Sequence, residues 1–177
     1  MVMTSVPIPI SSLAHSALTG VTSAQHHTQE VIQKLTALFN ALDTGTTVIP
    51  NDDTKPQITE GDQYMTLAFT PTNASNRLQI ESGFYGASSV GNAITVALFQ
   101  DADADALAAV AVEQPNGGDQ SFITLFHEMV AGGVVEIVFR IRAGGRGAGT
   151  TTFNGNSGAR KYDGVAGSYL TVSELAP

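Results

Sequence analysis

Three of the chain's four histidines, His15, His26 and His27, fall within the fourteen residues "HSALTGVTSAQHHT" (15–28). Imidazoles this close together are raw material for a metal site or an acid–base cluster. His26 and His27 stand in the first turn of an expected helix, where the positive end of the macrodipole disfavours imidazolium. They are therefore expected neutral at pH 7 and competent as ligands. Heptad phase argues against an axial metal, because counting from Thr28 places His27 beside the helix seam and His26 away from it. The expected role is a hydrogen-bonded joint, with each ring bonding backbone around the Gly20 turn, and with no metal and no cofactor.

Three further stretches invite chemistry. "DADAD" (101–105) offers alternating carboxylates, but a calcium loop would want Gly and Glu where Ala106 and Val112 stand. The stretch reads better as an acidic hairpin tip. "AGGRGAGTTT" (143–152) has the glycine density of a phosphate cradle, yet it lacks the lysine and no helix is expected after it. A loop between strands is the expectation. In "LFHEMV", His127 and Glu128 are neighbours on an expected strand and would point to opposite faces. A glycosidase needs two carboxylates facing one cleft, and no pattern identifies them. The chain is read as a non-enzyme.

Composition supports that reading. The chain has 177 residues, 18 glycines, no cysteine and few charged residues. This suits strands joined by tight turns, and it excludes disulfides and thiolate metal sites. With 8 basic and 16 acidic residues the formal charge is −8 and no basic run exists. Nucleic acid and anionic membrane surfaces are thus not expected partners. The N-terminus lacks the pattern of a signal peptide, and no apolar stretch reaches membrane-spanning length.

Three zones must position these residues. Residues 1–22 read as an extended attachment arm and turn, because Pro7 and Pro9 forbid a helix while Val6, Ile8, Ile10 and Leu13 form an apolar ribbon. Residues 23–45 read as an oligomerising helix, opened by a Thr22–Gln25 capping box and stopped at Gly45. Its seam places Thr28, Leu35 and Leu42 in one core register, with Val31 and Leu38 in the other. Residues 46–177 carry eight or nine strand patterns, among them "NRLQIESGFYG" (76–86), "QSFITLFHEMV" (120–130) and "SYLTVSEL" (168–175). Short strands between turns, without helices, predict an antiparallel jelly-roll sandwich.

The segment "HSALTGVTSAQHHTQ" resembles a motif of tailed-bacteriophage virion-surface proteins, in the form His, spacer, Leu-x-Gly-Leu/Val, then His-Thr-Gln-Tyr. His15, Leu18, Gly20 and Val21 match its first part, His26 matches by spacing and His27 by identity. The acidic residues of the motif are replaced by Ala24 and Gln25, and its final aromatic by Glu30. The C-terminal strands, in the order "RLQIESGFYGAS", "ITVALFQD", "FRIRAG", "TTFNG" and "SYLTVSEL", are similar to the TNF/C1q-like knobs that cap phage trimers. The resemblance implies a homotrimeric structural protein, made in the bacterial host cytoplasm and carried on the virion surface. As a capsid decoration or head-fibre protein it would bind the major capsid protein through its arm. The alternative is a small tail fibre or tail-tip protein, which would bind tail proteins and a host-surface receptor. A carbohydrate-binding module or hydrolase is the remote alternative, disfavoured by the absence of Trp.

Overall fold

The structure, a computed structural model, describes residues 30–177. The arm residues Val6, Ile8, Ile10 and Leu13, the joint residues His15, Leu18, Gly20, Val21, His26 and His27, and Thr28 of the seam lie outside the described residues.

Strand β1 (Val31–Phe39) is followed by β2 (Asp43–Gly45), β3 (Asp62–Phe69), β4 (Arg77–Ser88), β5 (Asn92–Gln100) and β6 (Ala108–Gln114). Then come β7 (Gln120–Val130), β8 (Ile137–Gly145), β9 (Thr151–Phe153), β10 (Gly155–Asn156), β11 (Ala159–Arg160) and β12 (Ser168–Leu175). Every pairing is antiparallel. One sheet runs β1-β12-β4-β9-β2, with β7 on the other side of β4, and the second runs β3-β8-β5-β6. Consecutive strands β3, β4 and β5, and again β6, β7 and β8, alternate between the two sheets. That alternation is the connectivity of a jelly roll. The expected strands over 120–130 and 168–175 coincide with β7 and β12.

The helix expected over 23–45 is not formed across its described part, and this corrects the sequence reading. Residues 31–39 instead make an edge strand against β12, with Leu35 opposite Val172, Ala37 opposite Leu170 and Leu38 opposite Tyr169. Spacings of four and three over so short a run also fit a strand whose two faces both carry apolar residues. Val31, Ile32, Thr36 and Phe39 are the β-branched and aromatic types that favour the pleated form. Ladder hydrogen bonds and packing against β12 outweigh a helix propensity that is weak over nine residues. The presumed stop at Gly45 is the last residue of β2. The compact β unit accordingly starts at Val31, not at residue 46.

The core lies between the sheets. Leu78, Ile80 and Phe84 of β4, with Leu170 and Val172 of β12, meet Val96, Leu98, Phe139 and Ile141 of the second sheet, all fully buried. Tyr64, Phe84 and Phe153 cluster at ring separations of 5.1–5.6 Å, partly edge-on as aromatic quadrupoles prefer. Strand β5 is buried on both faces. Its outer side, Ala97 and Phe99, receives Ile49, with Ile58 and Ala106 alongside. The connection 46–61 therefore roofs the outer face of the second sheet over β5, while Thr66 and Ala68 of β3 and Ala109 and Ala111 of β6 stay exposed. Arg142 pins this roof by donating to the carbonyls of Glu60 (2.8 Å) and Gly61 (2.6 Å).

Two buried polar groups stitch the first sheet. Between Gly83 and Gly86 the partner of β4 changes from β12 to β9, and Asn154 bridges that break. Its Nδ2 donates to the carbonyls of Phe39 and Ala41 (2.9 Å each), and its Oδ1 accepts from Ser168 Oγ (2.8 Å). At the opposite end Glu174, fully buried, accepts from Gln33 Nε2 (2.7 Å), Asn76 Nδ2 (2.6 Å), and the Thr72 backbone N–H (2.8 Å) and hydroxyl (2.9 Å). Burial opposes its ionisation, but these donors prevail and hold the carboxyl down at about 2. The carboxylate thereby ties β1 and the connection after β3 to the last strand.

Candidate functional site

The outer face of the first sheet carries large apolar side chains that no described segment covers. Register fixes which side chains stand on it. In β7 the odd residues Ile123 and Leu125 point into the core, so Phe122, Phe126 and Val130 point out, at 54–58% exposure. In β12 the burial of Leu170 and Val172 turns Tyr169 outward, and Leu38 opposite it is 75% exposed. Phe122 and Tyr169 lie 6.3 Å apart between ring centroids. Both rings lean over Gly83, where a Cβ would run into each of them. A glycine in this central strand is thus explained by the two rings, since a side chain there would lift them off the sheet.

Four charged side chains share this face, Lys34 on the edge strand and Arg77, Glu81 and Glu128 on the central pair. Arg77 and Glu128 form an ion pair, and Gln79 donates to Glu128 (3.0 Å). Glu81 stands exposed beside Phe126, its cross-strand partner. Thr36 and Thr171 share a hydroxyl hydrogen bond at 2.9 Å. Four strands about nine residues long, spaced ~4.8 Å and rising ~3.3 Å per residue, present roughly 600 Å². That approaches the ~800 Å² each partner contributes to a standard protein interface.

Of the described seam residues, Leu38 stands within this face. Val31 pairs with Leu175 at the sheet margin, and Leu35 turns toward the sandwich but stays 44% exposed at the edge. Leu42 lies against Gly155, beyond β1. They do not form one seam, because a strand sends alternate residues to opposite faces. Sequence reasoning missed Phe122, Phe126, Val130 and Tyr169. The signal was present in "QSFITLFHEMV", where both alternating sets are apolar, the pattern of a strand covered on both faces.

The other candidates disperse. Asp101 accepts from the Val138 backbone N–H (2.8 Å), whereas Asp105 accepts from Gln57 (2.8 Å) and pairs with Lys55. Among the described residues no three potential metal ligands converge. His127 lies opposite Ile80 on the core side, where burial lowers its pKa, while Glu128 is engaged on the outer face. The glycine-rich stretch ends β8 and leads into β9 with no helix after it. Arg146 N–H there donates to Asn92 Oδ1 (3.0 Å) and pairs its guanidinium with Glu113 (3.0 Å).

No protein-family model matches the chain, and no curated protein matches it. Solved structures do. The Eiger TNF from S. frugiperda is 13% identical with a TM-score of 0.41, over 81% of this chain and 93% of its own. The VP2 subviral particle of infectious bursal disease virus is 14% identical with a TM-score of 0.33, over 81% of this chain and 39% of its own. The enzymatically active domain of bacteriophage CBA120 tailspike protein 4 is 14% identical with a TM-score of 0.27, over 69% of this chain and 18% of its own.

Proposed function

We propose that the chain is a non-enzymatic bacteriophage virion-surface protein, a homotrimeric capsid decoration or head-fibre protein attached through its N-terminal arm. The observation that carries the assembly is the contrast between two outer faces. On one, the chain's own residues 46–61 cover the large apolar side chain of Phe99, and the other leaves Leu38, Phe122, Phe126 and Val130 bare. Half-exposed side chains of this size gain roughly 1 kcal/mol each on full burial, so a bare cluster of them favours association. The occupant is a second copy of the chain, the edge at β1 of one protomer lying across the β7 side of the next, a head-to-tail contact that closes into a ring. The number three and the virion come from the resemblance of "HSALTGVTSAQHHTQ" and the strand order to phage surface proteins.

Two measurements test the reading. An antibody against the chain, applied to purified particles from infected cells, is expected to decorate heads; decoration of tail tips would move the protein to the tail, and unlabelled particles would remove it from the virion. Deleting residues 1–14 is expected to leave a trimer that no longer joins particles. Loss of the trimer on that deletion would overturn the division between arm and knob.

A further inference from the structure

Val31, Leu175, Arg77 and Val130 lie side by side at one end of the first sheet. Ser88, Thr151 and Gln120 lie at its other end, eleven β4 residues or roughly 35 Å away. At that far end Thr44, Ser89, Thr150, Thr152, Ser157 and Gly158 line a cleft of about 420 Å³. Five of the six carry hydroxyls, and none is charged.

The loops that form this cleft are fixed to one another before any ligand arrives. Ser89 N–H donates to the Thr150 carbonyl, and Thr150 N–H returns a bond to Ser89 Oγ, both at 2.8 Å. Gly158 N–H donates to Thr152 Oγ1 (3.1 Å). Asn156 Nδ2 donates to the Gly118 carbonyl (2.6 Å), and Gly118 N–H donates to the Ser88 carbonyl (2.7 Å). Ser89 Oγ accepts here and keeps its proton to donate, Ser157 Oγ donates to Asn156 Oδ1 (2.7 Å) and keeps lone pairs to accept, and the buried Thr152 hydroxyl serves the fold. The Thr44 and Thr150 hydroxyls have no hydrogen-bond partner among the described residues, so each can both donate and accept. A pre-ordered cleft of this size avoids the ordering cost that weakens binding by loose loops.

We propose that this cleft binds a neutral saccharide of one or two sugar rings. A polyol needs several donors and acceptors and no ion pair, which the hydroxyls of Thr44, Ser89, Thr150 and Ser157 supply. Carboxylated or sulfated sugars are disfavoured, because no cation lines the cleft and the chain carries a formal charge of −8. The site goes beyond the virion role and does not rest on it.

The test uses the full chain in solution. Amide resonances are followed by NMR during titration with glucose, galactose, N-acetylglucosamine and lactose up to tens of millimolar, with sialyllactose as the anionic comparison. Saturable shifts confined to residues 44, 89, 150–152 and 156–158 are expected for at least one neutral sugar. The double variant Thr44→Val/Thr150→Val keeps both shapes and is expected to weaken that binding at least about tenfold. No shifts with any neutral sugar, shifts elsewhere, stronger binding of sialyllactose, or equal binding by a folded double variant would each overturn the proposal. These outcomes are separable from the virion reading, which particle labelling decides. Sugar binding by a chain absent from particles would keep the site and remove the virion.

Discussion

Glu174 and Asn154 each do with one side chain what a continuous ladder does elsewhere. The Glu174 carboxyl sits at about 2 in the folded chain against 4.5 for an ordinary glutamate. A lowered folded value means that the unfolded chain takes up the proton first. Its stabilisation is therefore complete above pH 4.5 and drains away as pH falls toward 2. We expect the melting temperature to fall over that window, and Glu174→Gln to flatten the fall while costing about 1–3 kcal/mol at neutral pH. Parallel pH profiles for the two proteins would contradict this assignment. Asn154 holds two carbonyls of the β1–β2 link from a backbone with φ of 55°. Asn154→Ala loses the bonds and strains the backbone, so denaturant titration should show a loss of about 2–3 kcal/mol. Asn154→Gly loses the same bonds without the strain and should be the milder change by about 1 kcal/mol.

At the scale of the element, neighbours in β7 separate folding from association. Leu125 is buried in the core and Phe126 is 56% exposed on the bare face. Phe126→Glu is expected to leave the circular dichroism of the sandwich unchanged while dissociating the oligomer in sedimentation. Leu125→Glu is expected to abolish the fold, since it places a charge in the core without a partner. A Phe126→Glu protein that still sediments as a trimer would show that copies of the chain meet elsewhere. The same strand marks how much was legible beforehand. Strict alternation in β4, with Leu78 and Ile80 against Gln79 and Glu81, announces a half-covered strand and was readable. In β1 the intervals between Val31, Leu35 and Leu38 satisfy helix and strand alike. Only the backbone groups of β12, over 130 residues away in sequence, decide between them. No local pattern contains that information, and the same gap hid the far-end cleft, whose hydroxyls come from four separate stretches of the chain, at 44, 89, 150–152 and 157.

For the molecule as a whole, moving residues 31–39 from stalk to knob moves the proposed self-association into the β unit. A helical seam would place assembly before residue 46, so a chain starting there would be monomeric. The observed β unit begins at Val31 and carries its bare face within itself, with β1 closing the sheet against the last strand. A chain of residues 31–177 should therefore fold and form the trimer without anything N-terminal to it. Its Glu174–Gln33 clamp and its Asn154 bridge both lie inside that span. A chain of residues 46–177 lacks β1 and β2, and thereby exposes the hydrogen-bonding edge of β12 and the carbonyl-binding amide of Asn154. It should aggregate or unfold, because a bare central strand is an open template for pairing. Native mass measurement of the two truncations discriminates the outcomes. Three chains for 31–177 supports assembly through the sheet face, whereas a stable monomer at micromolar concentration assigns assembly to residues 1–30.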